Sequence, residues 1–113
     1  MILNVDFVSR AKAEALPPLD DLAVISIVEP EVDAATLSIP EDRILRLSFH
    51  DVDPGHEQDQ RWRLFDDDHA RAIMAFMTRL QDDSRSFQLV VHCRAGISRS
   101  AAVALFVAET TGC

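Results

Sequence analysis

The residues best suited to chemistry in this chain lie between His92 and Ser100. Cys93 is followed by five residues and then by Arg99. The thiolate of a cysteine is a strong nucleophile. The planar guanidinium of an arginine binds two oxygens of a phosphoryl group at once, which a lysine cannot reproduce. This segment therefore predicts a site that binds a phosphate group and attacks it.

The elements on either side of this segment would hold it in place. Residues 87–91 form a short apolar run with β-branched and aromatic side chains, which predicts a buried strand. The sequence after Arg99 predicts a helix with almost no polar face. A strand, a tight loop containing Gly96 and a helix N-terminus together direct backbone N–H groups at one point. Such an arrangement binds an anion.

The remaining residues of the segment have supporting roles in this interpretation. The helix N-terminus and a nearby arginine lower the pKa of the Cys93 thiol, so that the thiolate exists at neutral pH. The hydroxyl of Ser100 helps the sulfur to leave when a phosphoenzyme breaks down. His92 forms hydrogen bonds to nearby backbone and fixes the loop. Five residues line the phosphate-binding loop and influence the choice of substrate: Arg94, Ala95, Gly96, Ile97 and Ser98.

The sequence His-Cys-Arg-Ala-Gly-Ile-Ser-Arg-Ser, which begins at His92, resembles the signature of the cysteine-dependent protein tyrosine phosphatase superfamily, in particular its dual-specificity-like branch. Every fixed position of that signature is matched. The resemblance implies an α/β fold with a central, mostly parallel sheet flanked by helices. It also implies a phosphoric monoester hydrolase that forms a cysteinyl-phosphate intermediate and uses no metal or cofactor. Low-molecular-weight phosphatases and arsenate reductases share the Cys-to-Arg spacing but not the preceding histidine.

Hydrolysis of a phosphate monoester also needs an acid that protonates the leaving oxygen. The chain has 19 aspartates and glutamates, so the chemistry alone does not select one. In dual-specificity-like phosphatases the acid follows the strand that corresponds here to residues 43–49. The resemblance therefore assigns this role to Asp51, with Asp53 on the same loop as the alternative. The stretch between this acid and Cys93 is longer than in the compact members of the family.

Composition limits the other classes of function. The 113 residues predict one domain, residues 1–113, with enough apolar content for a core. The formal net charge of −8 argues against nucleic acid and anionic membranes as general partners, and no apolar run is long enough to span a bilayer. Cys93 and Cys113 do not form a disulfide framework, and a reactive thiol favours a reducing, cytoplasmic location. The expected substrate is a phosphorylated protein or a small aryl phosphate, because the loop lacks the paired lysines of phosphoinositide-type relatives.

The order of the predicted elements indicates parallel strands connected by helical segments. Ser9 is expected to cap a short helix that continues through Leu16, where Pro17 and Pro18 stop it. Apolar spacing predicts a longer helix from about Asp67 to residue 82. The predicted strands cover residues 2–8, 22–28 and 43–49, and a helical turn is expected at residues 33–37.

The predicted helix after the signature is apolar nearly all round and needs cover on every side. Domains of the family continue with further helices, so the resemblance covers only about the amino-terminal two-thirds of the usual domain. Either the sequence is a fragment or another subunit supplies the missing surface, which leaves a homo-oligomer open.

Three alternatives remain at the level of sequence. The loop could bind phosphorylated partners without turnover, as a pseudophosphatase does. Cys93 and Cys113 could form a redox pair in an arsenate-reductase-like protein. His50, His56 and the neighbouring acids could bind a metal, although their spacing matches no known site.

Overall fold

The computed structural model of the protein describes residues 1–50 and 66–93, together with Val103, Phe106 and Val107. This part of the chain has an α/β fold, as the sequence predicts. A 3-10 helix, Glu41–Arg43, precedes the third strand. The elements in chain order are β1 (Ile2–Ser9), α1 (Arg10–Glu14), β2 (Leu22–Val28), β3 (Ile44–Ser48), α2 (Asp67–Asp82) and β4 (Phe87–Cys93).

The four strands form one sheet in the order β1-β4-β2-β3, and every pair is parallel. The prediction of a mostly parallel sheet is therefore confirmed. Strands of such sheets are covered on both faces, which explains why β2 and β4 are apolar along most of their length. The last of the described strands, β4, lies between β1 and β2.

Two apolar clusters cover the two faces of the sheet. Successive side chains of a strand point to opposite faces, so Val91 and Cys93 join one cluster and Val90 joins the other. The larger cluster includes the apolar face of α2 and the helical residues Val103 and Val107. The smaller cluster comprises Leu22, Val24, Ile39, Ile44 and Val90, with Val8, Leu16 and Leu37 packed against it.

Helix α2 begins where its sequence provides a cap. The side chain of Asp66 accepts a hydrogen bond from the backbone N–H of His69, which satisfies a donor that the helix leaves free. The negative charges of Asp67 and Asp68 in the first turn stabilise the helix by interacting with the positive end of its dipole. The helix buries a stripe at helical spacing: His69, Ile73, Phe76, Met77 and Leu80.

The sequence prediction is wrong in two local details. Helix α1 is capped by Ser9 as expected, but it ends at Glu14, because a residue before a proline such as Pro17 avoids helical geometry. Residues 33–37 form no helical turn. Their backbone groups bond instead to distant side chains: Arg10 binds the carbonyls of Asp33 and Ala34, and Arg46 binds that of Ala35.

Candidate active site

The proposed nucleophile lies at the last residue of the central strand β4. Cys93 is 2% exposed and its neighbour His92 is fully buried. Cys93 is paired with Ser9, the last residue of β1, and His92 is paired with Ser26 near the end of β2. The thiol therefore lies at the carboxyl edge of the sheet, and the sequence of the predicted phosphate loop starts directly after it.

The described residues that come after β1 and those that come after β4 pack against opposite faces of the sheet. After β1, the chain continues through α1 to Leu16, which packs against the smaller cluster. After β4, the chain reaches Val103 and Val107, which pack in the larger cluster with Cys93. In open parallel sheets, such a divergence creates a crevice outside the carboxyl ends of the strands, and ligands bind there. Cys93 lies at this position.

A cavity of about 350 Å³ borders the same edge. Arg10 lines it and directly follows Ser9, the residue paired with Cys93. Ile27 lines it from the other side and directly follows Ser26. The other described lining residues are Val28, Glu29 and Val32. The cavity thus has both apolar and charged walls next to the end of β4.

His92 is held by a side chain on the neighbouring strand. Its Nε2 atom lies 2.6 Å from the hydroxyl oxygen of Ser26, and both residues are buried. Burial lowers the pKa of His92 below its ordinary value, while the adjacent backbone of Cys93 acts in the opposite direction. The charges of Arg10 and Arg46 lower this pKa further, and that of Glu14 raises it. The ring is therefore neutral at physiological pH.

Arg10 and Glu14 fix the segment that follows β2 to helix α1. The guanidinium of Arg10 donates to the carbonyls of Asp33 and Ala34 at 2.8 and 3.1 Å, and it lies 3.4 Å from the Glu14 carboxylate. The backbone N–H of Thr36 donates to that carboxylate at 2.8 Å and is the main cause of the lowered pKa of Glu14. The segment that follows β2 is therefore held to α1 by hydrogen bonds between charged side chains and its backbone.

The end of β3 leads to the predicted general acid. His50 directly precedes Asp51, and its Nε2 atom lies 2.9 Å from a carboxylate oxygen of Glu31. Hydrogen bonds from its own backbone and from His50 lower the pKa of Glu31. A second cavity of about 500 Å³ lies here, and its described lining includes Pro30, Ser48 and His69.

Of the residues that the sequence predicts for the catalytic site, the structure describes His92 and Cys93 and places them together at the end of β4. Of the histidines in the metal alternative, it describes only His50. The rest lie outside the described residues: Asp51 and its alternative Asp53, His56, Arg94, Ala95, Gly96, Ile97, Ser98, Arg99, Ser100 and Cys113. Their roles stay predictions.

Sequence reasoning missed two residues near the site. Ser26 is the only polar residue of strand β2, and a lone hydroxyl in an apolar strand is the signal that could have drawn attention to it. His69 lies within the apolar spacing of α2, and nothing in the sequence indicates that its side chain is buried. Each of these two side chains contacts a residue that is remote in the sequence.

No group of three potential metal ligands occurs within residues 1–50 and 66–93. In the same part of the chain, no helix has the length and apolar character needed to cross a membrane.

Comparison of the chain with family models, curated proteins and solved structures finds no match. The signature sequence and the geometry around Cys93 are therefore the features that bear on function.

Proposed function

We propose that this protein is a cysteine-dependent phosphoric monoester hydrolase of the protein tyrosine phosphatase type, similar to the dual-specificity branch. One observation carries the proposal. Cys93 ends a buried central strand at the edge where β1 and β4 diverge, and the signature segment follows it directly. A strand, loop and helix at this position form an anion-binding site of the kind that a phosphoryl group requires.

In the first step, the Cys93 thiolate attacks phosphorus. The S–P bond forms while the bond between phosphorus and the ester oxygen breaks. Asp51 donates its proton to the leaving oxygen. The loop amides and the guanidinium of Arg99 stabilise the equatorial oxygens as charge develops on them.

In the second step, water attacks the phosphorus of the cysteinyl-phosphate. The Asp51 carboxylate takes the proton from that water, and sulfur leaves as a thiolate. The hydroxyl of Ser100 donates a hydrogen bond to the leaving sulfur. The products are inorganic phosphate and regenerated enzyme, so no cofactor is consumed.

The proposed substrate is a phosphorylated protein or a small aryl phosphate. Ile27, Val28 and Val32 at the cavity beside β4 support this class, since an aromatic ring packs against aliphatic side chains. A reducing, cytoplasmic setting belongs to the same proposal, because the nucleophile must remain a thiol.

A chromogenic aryl phosphate assay in the presence of EDTA tests this function. Wild-type protein is expected to release phosphate, while Cys93→Ser is expected to lose detectable turnover and to keep its affinity for vanadate. Comparable turnover in both proteins would contradict the proposal. Vanadate binding without turnover in the wild type would instead support a phosphate-binding module.

A further inference from the structure

The buried contact between Ser26 and His92 has no role in the two chemical steps. The two residues come from adjacent parallel strands, and the register places them side by side. Ser26 is 1% exposed and His92 is 0% exposed, so water does not compete for the 2.6 Å hydrogen bond. Cys93 is the next residue after His92. The contact is thus a fixed point directly beside the proposed nucleophile.

The hydrogen bond can run in either direction, and the direction decides which ring nitrogen carries the proton. If the hydroxyl of Ser26 donates, Nε2 is the acceptor and Nδ1 bears the hydrogen. Among the described residues, Nδ1 of His92 has no hydrogen-bond partner of ordinary geometry. The backbone of Cys93 nevertheless favours the protonated ring, as a carbonyl facing a ring N–H would. Both observations fit an N–H at Nδ1 that faces the backbone of Cys93.

We propose that Ser26 is a positioning residue that fixes His92 as its Nδ1–H tautomer and thereby orients the backbone that carries the Cys93 thiol. This inference rests on the proposed function only for its effect on turnover. The pairing and the tautomer concern the folded protein and do not require the reaction.

The positioning role follows from the location of the contact. A neutral ring with two equivalent orientations or tautomers would present either a donor or an acceptor to the loop. A hydroxyl on the rigid strand β2 removes this choice, because strand geometry and burial fix the position of Oγ. The contact acts on the nucleophile without touching the substrate. Its loss is therefore expected to lower kcat more than it raises KM.

The first test measures the tautomer directly. In the ¹⁵N-labelled full-length protein, the ring nitrogen resonances of His92 are assigned by their loss in His92→Gln. The wild type is expected to show a protonated Nδ1 and an unprotonated Nε2 at neutral pH. A protonated Nε2 would overturn the proposal, whatever the enzymatic activity of the protein.

The second test uses a matched pair, Ser26→Thr and Ser26→Val. Both variants add the same bulk to strand β2, and they differ only by a hydroxyl in place of a methyl group. Ser26→Thr should keep the wild-type ring resonances, while Ser26→Val should lose them. Equal ring spectra in the two variants would overturn the proposal, and Ser26→Ala gives the same comparison if the added bulk prevents folding.

Turnover of an aryl phosphate provides the link to the nucleophile. Ser26→Val is expected to have a kcat about three- to tenfold below that of Ser26→Thr, the size expected for one hydrogen bond. In a His92→Gln background, the two Ser26 variants should have the same kcat. Equal kcat of the two variants in a wild-type background that turns over would overturn the positioning role. Absence of turnover in the wild type would refute the proposed function, and the ring spectra would still decide the pairing.

Discussion

The Nε2 atom of His69 lies 3.1 Å from the carbonyl oxygen of Ser48, while Nδ1 of the same ring accepts a hydrogen bond from the backbone N–H of Asp66 at 3.0 Å. A carbonyl can only accept, so Nε2 carries the proton of the neutral ring. One buried side chain thus connects the last residue of β3 with the cap of α2. The segment that carries the predicted acid, Asp51, starts and ends beside these two anchors.

Replacing His69 should therefore affect stability as well as the proposed reaction. His69→Ala removes both backbone contacts, and we expect a loss of about 1–3 kcal/mol in the free energy of unfolding. His69→Gln should lose less, because a glutamine at this position can still accept from the N–H of Asp66. Urea unfolding followed by circular dichroism measures both values.

Arg71→Ala serves as the control in the same helical turn. Its ion pair with Asp68 is exposed, so the change should stay within about 0.5 kcal/mol. If His69→Ala unfolds at the same urea concentration as Arg71→Ala, the ring does not join the two elements as described.

Burial of His92 predicts a specific dependence of stability on pH. Its pKa in the folded protein lies below the ordinary value of 6.5, which the unfolded chain retains. Just below pH 6.5 the unfolded chain binds more protons, so stability should fall as the pH is lowered toward the folded pKa. One such group changes the free energy of unfolding by at most about 1.4 kcal/mol per pH unit. The wild type should lose stability more steeply in this window than His92→Asn.

Asp83 affects stability in a separate, lower pH range. Hydrogen bonds from Arg85 lower the pKa of Asp83 to about 2, so its contribution disappears only in stronger acid. A proton NMR titration of the wild type measures the pKa of His92 directly. A His92 resonance that titrates at or above its ordinary pKa would contradict the buried, neutral ring.

The sequence predicts most of the sheet because its strands are encoded by local apolar runs. Strand β2 has the bounds that the sequence predicts, Leu22–Val28, since seven consecutive residues suit a strand buried on both faces. The failed prediction of a helical turn has a physical cause that is not local in the sequence. Residues 33–37 form no helical turn because Arg10 and Arg46 bind their carbonyls from other elements. Such partners become neighbours only after the chain has folded.

The same reason separates the predicted and the missed parts of the site. His92 and Cys93 could be predicted because they belong to a contiguous signature, which is recognised without knowledge of distant contacts. Ser26 lies 66 residues from His92, and His69 lies 21 residues from Ser48. No local pattern records such pairs.

Arg99 should not tolerate lysine. A single ammonium cannot form the two parallel hydrogen bonds of a guanidinium with phosphoryl oxygens. Arg99→Lys is therefore expected to reduce kcat/KM for an aryl phosphate severely and to weaken vanadate binding. Arg94→Lys is the matched control, since Arg94 is expected to line the loop and bind substrate, while the contact with two phosphoryl oxygens is assigned to Arg99 alone. Similar kinetics of the two variants would show that Arg99 does not bind the phosphoryl group.

The assignment of the acid makes a prediction that depends on the leaving group. Asp51→Asn should lower kcat by about 10²–10⁴-fold for an alkyl phosphate, because a poor leaving group needs the proton. The loss should shrink for an activated aryl phosphate. Asp53→Asn should have little effect on either substrate. If Asp53→Asn alone shows this dependence, the acid is displaced by two residues. If neither variant does, it lies later in residues 57–68.

The proposed reaction transfers the phosphoryl group of the substrate to the sulfur of Cys93. The most direct test mixes the wild type with an activated aryl phosphate, stops the reaction in denaturant and locates the phosphate by peptide mass spectrometry. We expect a phosphoryl adduct on the peptide that contains Cys93 and no adduct on the corresponding peptide of Cys93→Ser. Two results would contradict this proposal. The enzyme could release phosphate while its adduct lies on another residue, or Cys93→Ser could form the same adduct as the wild type.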